Sequence, residues 1–371
     1  MAQDFGTRPG NTQTTQGTPA RTPPNILGGA QQQQQRNATG ALPQVGQPTV
    51  VTPSLIDSMF AEMKRVIVGQ NLLLERLVVA LLARGHVLIE GVPGLAKTLT
   101  VKSLAQVMGG TFGRVQFTPD LVPADVTGTR IYNTRTSEFV TEPGPIFVNV
   151  LLADEINRAP AKVQSSLLEV MQERQVTIGK QTLSVPNPFF VLATQNPIDS
   201  DGTYPLPEAQ LDRFLFKVLV SYPNFGEELT IIDRSMTSAV QLNPLLVPGQ
   251  MVAMQQTVDQ VEVHPKIKEY AVKLVAATRE PLRYELPQVA PWIQYGASPR
   301  ASVGLIVAAR ALAFVRKRHY VVPQDIADLL PEVLRHRLVL SYDAIADNVS
   351  PEQIIEALLK QFPAEEIEIR D

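Results

Sequence analysis

The chain has 371 residues, 33 basic against 36 acidic, for a formal net charge of −3. It has no cysteine and four scattered histidines, which excludes disulfide scaffolds, thiolate metal sites, cysteine nucleophiles and a histidine-rich metal centre. The charge balance argues against a nucleic-acid coat, which carries a basic footprint.

Residues 1–49 are rich in Gln, Thr, Pro, Gly and Asn, and include the run Gln31 to Gln35. Such a segment has too little apolar surface to offset its ordering entropy, so a disordered tail is expected. It has no basic stretch leading into an apolar core, as a secretory signal would. No run in the chain approaches the ~18 consecutive apolar residues of a membrane span. A soluble, cytoplasmic protein is the expectation.

Order is expected from Thr52-Pro53, a cap followed by a residue suited to the first helical turn. Leu55, Ile56, Met59, Phe60 and Met63 recur at helical spacing, and a second helix carries Leu73, Leu74, Leu77, Val78, Leu81 and Leu82 on one side. Short strands and helices then alternate. Strands are expected at His86–Glu90, Arg114–Phe117, Val148–Asp154 and Phe189–Thr194, with helices over Lys97–Met108 and Ala161–Glu173. This order implies a parallel sheet covered on both faces. Two polar hairpins interrupt it, near Arg130–Val140 and over Val176–Val185. Strand signals vanish after about Tyr222, and helices follow, including Lys266–Ala277, Pro299–Arg316 and Pro323–Arg337. The chain thus reads as a tail (1–49), an α/β domain (50–221) and an α-helical domain (222–371).

Five motifs carry chemistry. Gly91-Val92-Pro93-Gly94-Leu95-Ala96-Lys97-Thr98 lies between a strand and a helix. Its glycines let backbone N–H groups wrap a polyphosphate, the lysine bridges phosphates and the threonine hydroxyl suits Mg²⁺. The strict pattern has glycine where Ala96 stands, and a positive φ there would cost alanine about 1 kcal/mol. Asp154 and Glu155 end an apolar strand, where a parallel sheet binds ligands. Asp154 would hold Mg²⁺ and Glu155 would polarise an attacking water; a helix cap is the alternative. Asn196, in Thr194-Gln195-Asn196-Pro197, suits a water or γ-phosphate contact, or merely a turn. Arg213, just before an apolar strand, could reach a neighbouring subunit's γ-phosphate or pair locally with Glu208 or Asp212. Arg300 follows Ser298-Pro299 at a helix start, where a cation is disfavoured unless an anion lies nearby; a solvated side chain is the alternative.

On these stretches, together with Val66-Ile67-Val68-Gly69-Gln70 and Gln116-Phe117-Thr118-Pro119-Asp120-Leu121, residues 50 to about 355 resemble the AAA+ ATPases and, within them, the MoxR family. The resemblance implies a P-loop αβα sandwich followed by an all-α lid, with the hairpins as helix-2 and pre-sensor-1 inserts. It implies Walker A at Gly91 to Thr98, Walker B at Asp154 and Glu155, sensor 1 at Asn196, an arginine finger at Arg213 and sensor 2 at Arg300. Val68 and Gly69 would line the adenine pocket. It further implies a homo-oligomeric ring, usually a hexamer, binding ATP or ADP with Mg²⁺ at its interfaces. Proteins of this family are chaperones that remodel or mature partner complexes, often beside a protein with a von Willebrand factor A domain. A nucleotide-gated scaffold with negligible hydrolysis and a nucleic-acid remodeller are the alternatives. The hairpins carry only Arg130, Arg135 and Lys180 for the latter, thin support for a phosphate-tracking channel.

Overall fold

A computed structural model describes residues 53–92, 94–196, 203–237 and 240–367. The expected tail over 1–49, the Thr52 cap, Pro93 of the glycine loop and Pro197 lie outside the described residues.

In chain order, helices α1 (Pro53–Lys64) and α2 (Asn71–Leu82) lead into strand β1 (Val87–Glu90), α3 (Lys97–Val107) and β2 (Phe112–Gln116). A short α4 (Pro123–Thr127) precedes the hairpin β3 (Gly128–Asn133) and β4 (Glu138–Pro143). Strand β5 (Val150–Asp154) and α5 (Ala161–Glu173) precede the second hairpin, β6 (Gln175–Ile178) and β7 (Gln181–Ser184). After β8 (Phe190–Gln195), α6 (Glu208–Leu211) and β9 (Phe216–Leu219) come α7 (Phe225–Ser235), α8 (Pro248–Val258) and α9 (Pro265–Arg279). Then follow β10 (Ile293–Tyr295), α10 (Pro299–Val315), α11 (Pro323–Leu334), β11 (Val339–Leu340), α12 (Tyr342–Ala346) and α13 (Pro351–Gln361).

The five-stranded sheet runs β2-β5-β8-β1-β9, and every pairing in it is parallel. Its interior strands are apolar at nearly every position because both faces are covered. Alternate residues serve opposite faces. Val87, Ile89, Val150, Leu152, Phe190 and Leu192 join the core shared with the α1–α3 layer. Leu88, Leu151, Ala153, Val191 and Ala193 join a second core with α5 and the β6–β7 hairpin.

Strand structure does not end at Tyr222 as the sequence suggests. Ile293 and Tyr295 pair antiparallel with Leu340 and Val339, a bridge too short for any alternating pattern to reveal. The helices after α7 extend the first core rather than building a separate one: α8 and α10 pack on α2, and α11 packs on β9. Buried Arg76 of α2 ties this contact, with Nε on the Glu332 carboxylate at 3.2 Å and Nη2 donating to the Asp328 carbonyl at 2.7 Å. Beyond it, Arg335 donates to the Lys217 carbonyl of β9 at 2.9 Å.

The hairpins contact one another. Thr141 donates to the Gln181 side chain at 2.8 Å, and the Arg130 side chain lies against Gly179.

Candidate functional site

The glycine loop leaves the carboxyl end of β1 and enters α3, so the first free N–H groups of that helix face the strand ends. Gly94 has a φ of 87°, and no atom lies within 4 Å of where its Cβ would be, which leaves the loop open on that side. Ala96 has a φ of 53°, so the alanine takes the left-handed conformation that the usual glycine would hold without cost. Lys97 reaches across the loop and its ammonium donates to the Gly91 carbonyl. Burial lowers the lysine's pKa, against the opposing pull of Asp154, Glu155 and Glu90.

Lys97, Thr98, Asp154, Glu155, Thr194 and Asn196 line one cavity of about 450 Å³ with the loop. The arrangement follows from the sheet, since β1, β5 and β8 are adjacent and end together. A single hydroxyl organises the acidic pair. Thr194 Oγ1 accepts from the Glu155 N–H at 2.9 Å and donates to Asp154 Oδ1 at 2.5 Å. Glu155 has a φ of 55°, the left-handed region that a non-glycine residue occupies only where its surroundings hold it. Its carboxylate pairs with Arg158 at 3.1 Å. Buried Gln164 supports the turn beneath, donating to the carbonyls of Ile156, Ala159 and Tyr204. Arg114 of β2 also lines the cavity and binds Asp154 Oδ2 through Nη2 at 2.7 Å and Nε at 3.1 Å. Hydroxyl and carboxylate oxygens suit a hard divalent cation, and the helix start with Lys97 suits phosphate. The residues present therefore fit a magnesium nucleotide.

Beside the loop lies a more apolar cavity of about 410 Å³, lined by Val66, Ile67, Val68, Leu95, Leu99 and Ile231 among others. Val68, expected beside the base, is one of its lining residues. Gly69 does not line this cavity; it has a φ of 65°, and a Cβ there would lie 2.3 Å from Glu227 Oε1, so it seats α7 instead.

Arg213 and Arg300 are not in the cavity lined by the glycine loop. In β9, Phe216 sits opposite Val87 of β1, so Arg213 lies at the amino ends of the strands, away from the glycine loop. It donates to the Leu168 carbonyl at 3.0 Å, is exposed, and makes no ion pair with Glu208 or Asp212. Asp212 instead accepts from Arg337 at 2.7 Å and from the Ser298 hydroxyl at 2.9 Å, and pairs with Arg300 at 3.5 Å. Arg213 and Arg300 thus share one surface, on the side of the sheet edge remote from their own glycine loop.

Arg114, Arg158 and Thr194 escape sequence reasoning as site residues. Lone arginines carry no spacing signal, and Thr194 reads as strand.

The fold is that of an AAA ATPase. Residues 86–216 match the family described as ATPases associated with various cellular activities, and residues 288–358 match the AAA lid domain. The chain is 57% identical to Chaperone MoxR1 of Mycobacterium tuberculosis, over 81% of this chain and 79% of that protein. It is 32% identical to Protein MoxR of Methylorubrum extorquens, over 82% and 93%. A crystal structure of a candidate ATPase from Cytophaga hutchinsonii superposes with a TM-score of 0.80 at 45% identity, covering 83% of this chain and 94% of that one. The chain belongs to the MoxR family of AAA+ ATPases. Among the described residues, no helix is long and apolar enough to cross a membrane.

Proposed function

We propose that the chain is a Mg²⁺-dependent ATPase whose turnover drives a chaperone cycle on partner protein complexes. The observation that carries this is the single cavity joining the glycine loop, Lys97 and Thr98 to Asp154, Glu155 and Asn196. Lys97 and the N–H groups at the start of α3 hold the phosphates. Thr98 and Asp154 hold the metal, which when bound neutralises phosphate charge. Glu155 takes the proton of the attacking water and Asn196 orients that water. Val68, Gly91, Val92, Gly94, Leu95 and Ala96, together with Pro93, complete the nucleotide contacts, with the base in the apolar cavity. Gly69 contributes indirectly, by seating α7.

Arg213 and Arg300 work in this reading on the nucleotide of the next subunit in a hexameric ring. Their shared surface, remote from their own loop, supports that assignment for both. We further propose that residues 50–221 and 222–371 act as nucleotide-binding and lid parts, and that a protein with a von Willebrand factor A domain is the partner.

Phosphate release and nucleotide binding on purified variants test the core of this. Lys97→Ala is expected to weaken nucleotide binding at least about tenfold. Glu155→Gln is expected to keep binding and lose about 10²- to 10⁴-fold in turnover. Normal turnover in Glu155→Gln would remove Glu155 from the chemistry and favour the scaffold reading.

A further inference from the structure

Asp154, the carboxylate assigned to the metal, already has a donor on each oxygen. Thr194 occupies Oδ1 and Arg114 occupies Oδ2. The arginine contact is built into the sheet. Gln116 pairs with Asp154 in register, and Arg114, two residues earlier, projects from the same face of β2. Gln116 Oε1 accepts from Arg114 Nη2 at 2.8 Å, bracing the guanidinium against the carboxylate. Arg114 lies on an edge strand with its side chain 49% exposed, so it has room to turn. Nε and Nη2 make these bonds; among the described residues Nη1 makes none, and the residue lines the same cavity as Lys97 and Thr98. A guanidinium that lines a cavity suited to phosphate can bind phosphate oxygens.

We propose that Arg114 and Mg²⁺ compete for Asp154, and that while the metal is absent the Arg114 guanidinium, held on Asp154, lends its charge to the polyphosphate in the cavity it lines. Arg114 is then a positioning residue. It holds the metal carboxylate in place, and it supplies to a metal-free nucleotide some of the positive charge that the metal otherwise provides. This rests on the nucleotide reading of the cavity.

Two consequences follow from competition. Removing the guanidinium weakens metal-free nucleotide binding, because a cation is lost. It also strengthens the coupling between metal and nucleotide, because Asp154 loses its rival donor. The ratio of the Kd in EDTA to the Kd in saturating Mg²⁺ therefore rises. A merely structural defect weakens both affinities and leaves their ratio in place.

The experiment titrates fluorescent mant-ADP into full-length protein, with EDTA or with Mg²⁺. Arg114→Gln is expected to raise the ratio about two- to fivefold, the range of a partly exposed ion pair. Arg114→Lys, which keeps the charge, is expected to stay within about twofold of the parent. Neither substitution opens the core, given the exposure of the side chain. An unchanged or lowered ratio in Arg114→Gln overturns the competition while the nucleotide site stands. Failure of the unsubstituted protein to bind mant-ADP at all overturns the site reading itself.

Discussion

Ala96 departs from the phosphate-loop pattern, and the structure gives that departure its physical meaning. The backbone there keeps the left-handed conformation with φ 53°, so the alanine bears a cost that glycine would avoid. Ala96→Gly is expected to stabilise the fold by about 1 kcal/mol, read as an upward shift in thermal midpoint. A fall in the midpoint would mean that the alanine methyl makes compensating contacts. Glu155 occupies the same region of backbone space, but in the proposed reading the strain there accompanies function. Its conformation turns the carboxylate toward Arg158 while its N–H stays on Thr194. The sequence showed Asp154 and Glu155 as adjacent acids at a strand end. It could not show Thr194 bridging them, because that contact spans two strands that meet only in the folded sheet.

At the scale of elements, α7 stands out. It has no buried residue, and large apolar side chains such as Phe225, Leu229 and Ile232 are exposed along it. What holds it is polar. Asn224 and Glu227 form a reciprocal cap, Gln70 donates to the Ser221 carbonyl at 3.2 Å, and Arg234 donates to the carbonyls of Lys64 and Arg65 at 3.0 Å each. An element held by exposed hydrogen bonds opens at low free energy. Arg234→Ala is expected to speed amide exchange in α7 about three- to tenfold, measured by hydrogen–deuterium exchange, with α10 unaffected. Unchanged exchange would show that the arginine does not anchor the helix. Because Ile231 and Arg234 line the apolar cavity, loosening α7 should also weaken nucleotide binding. The sequence placed helices after about Tyr222 without singling this one out. Its loose attachment was not legible, since burial depends on what packs against it.

For the whole molecule, the decisive relation is between the phosphate loop and the two arginines. They sit at opposite ends of the central strands, so one chain cannot bring both to the same phosphate in this arrangement. In the proposed ring, a subunit with an intact loop and one with intact arginines complement each other. Mixing Lys97→Ala with Arg213→Ala protein is expected to restore turnover above that of either alone, measured by phosphate release on the reassembled mixture. Absence of recovery in mixed assemblies would argue against a shared site.

The sequence alone determined the family, the alternation of strands and helices up to Tyr222, and that Lys97, Thr98, Asp154, Glu155 and Asn196 belong with the glycine loop. Those features are local: a glycine pattern, an apolar run, an acidic pair at a strand end. The sheet order then carries Lys97, Asp154 and Asn196 to one edge by simple topology. Only the tertiary structure decided that Arg300 lies beside Arg213, that Gly69 serves α7 and that Arg114 grips Asp154. Each depends on which distant elements come into contact, and that is set by the packing of α10 on α2, of α7 on the Val66–Gln70 turn and of β2 along β5.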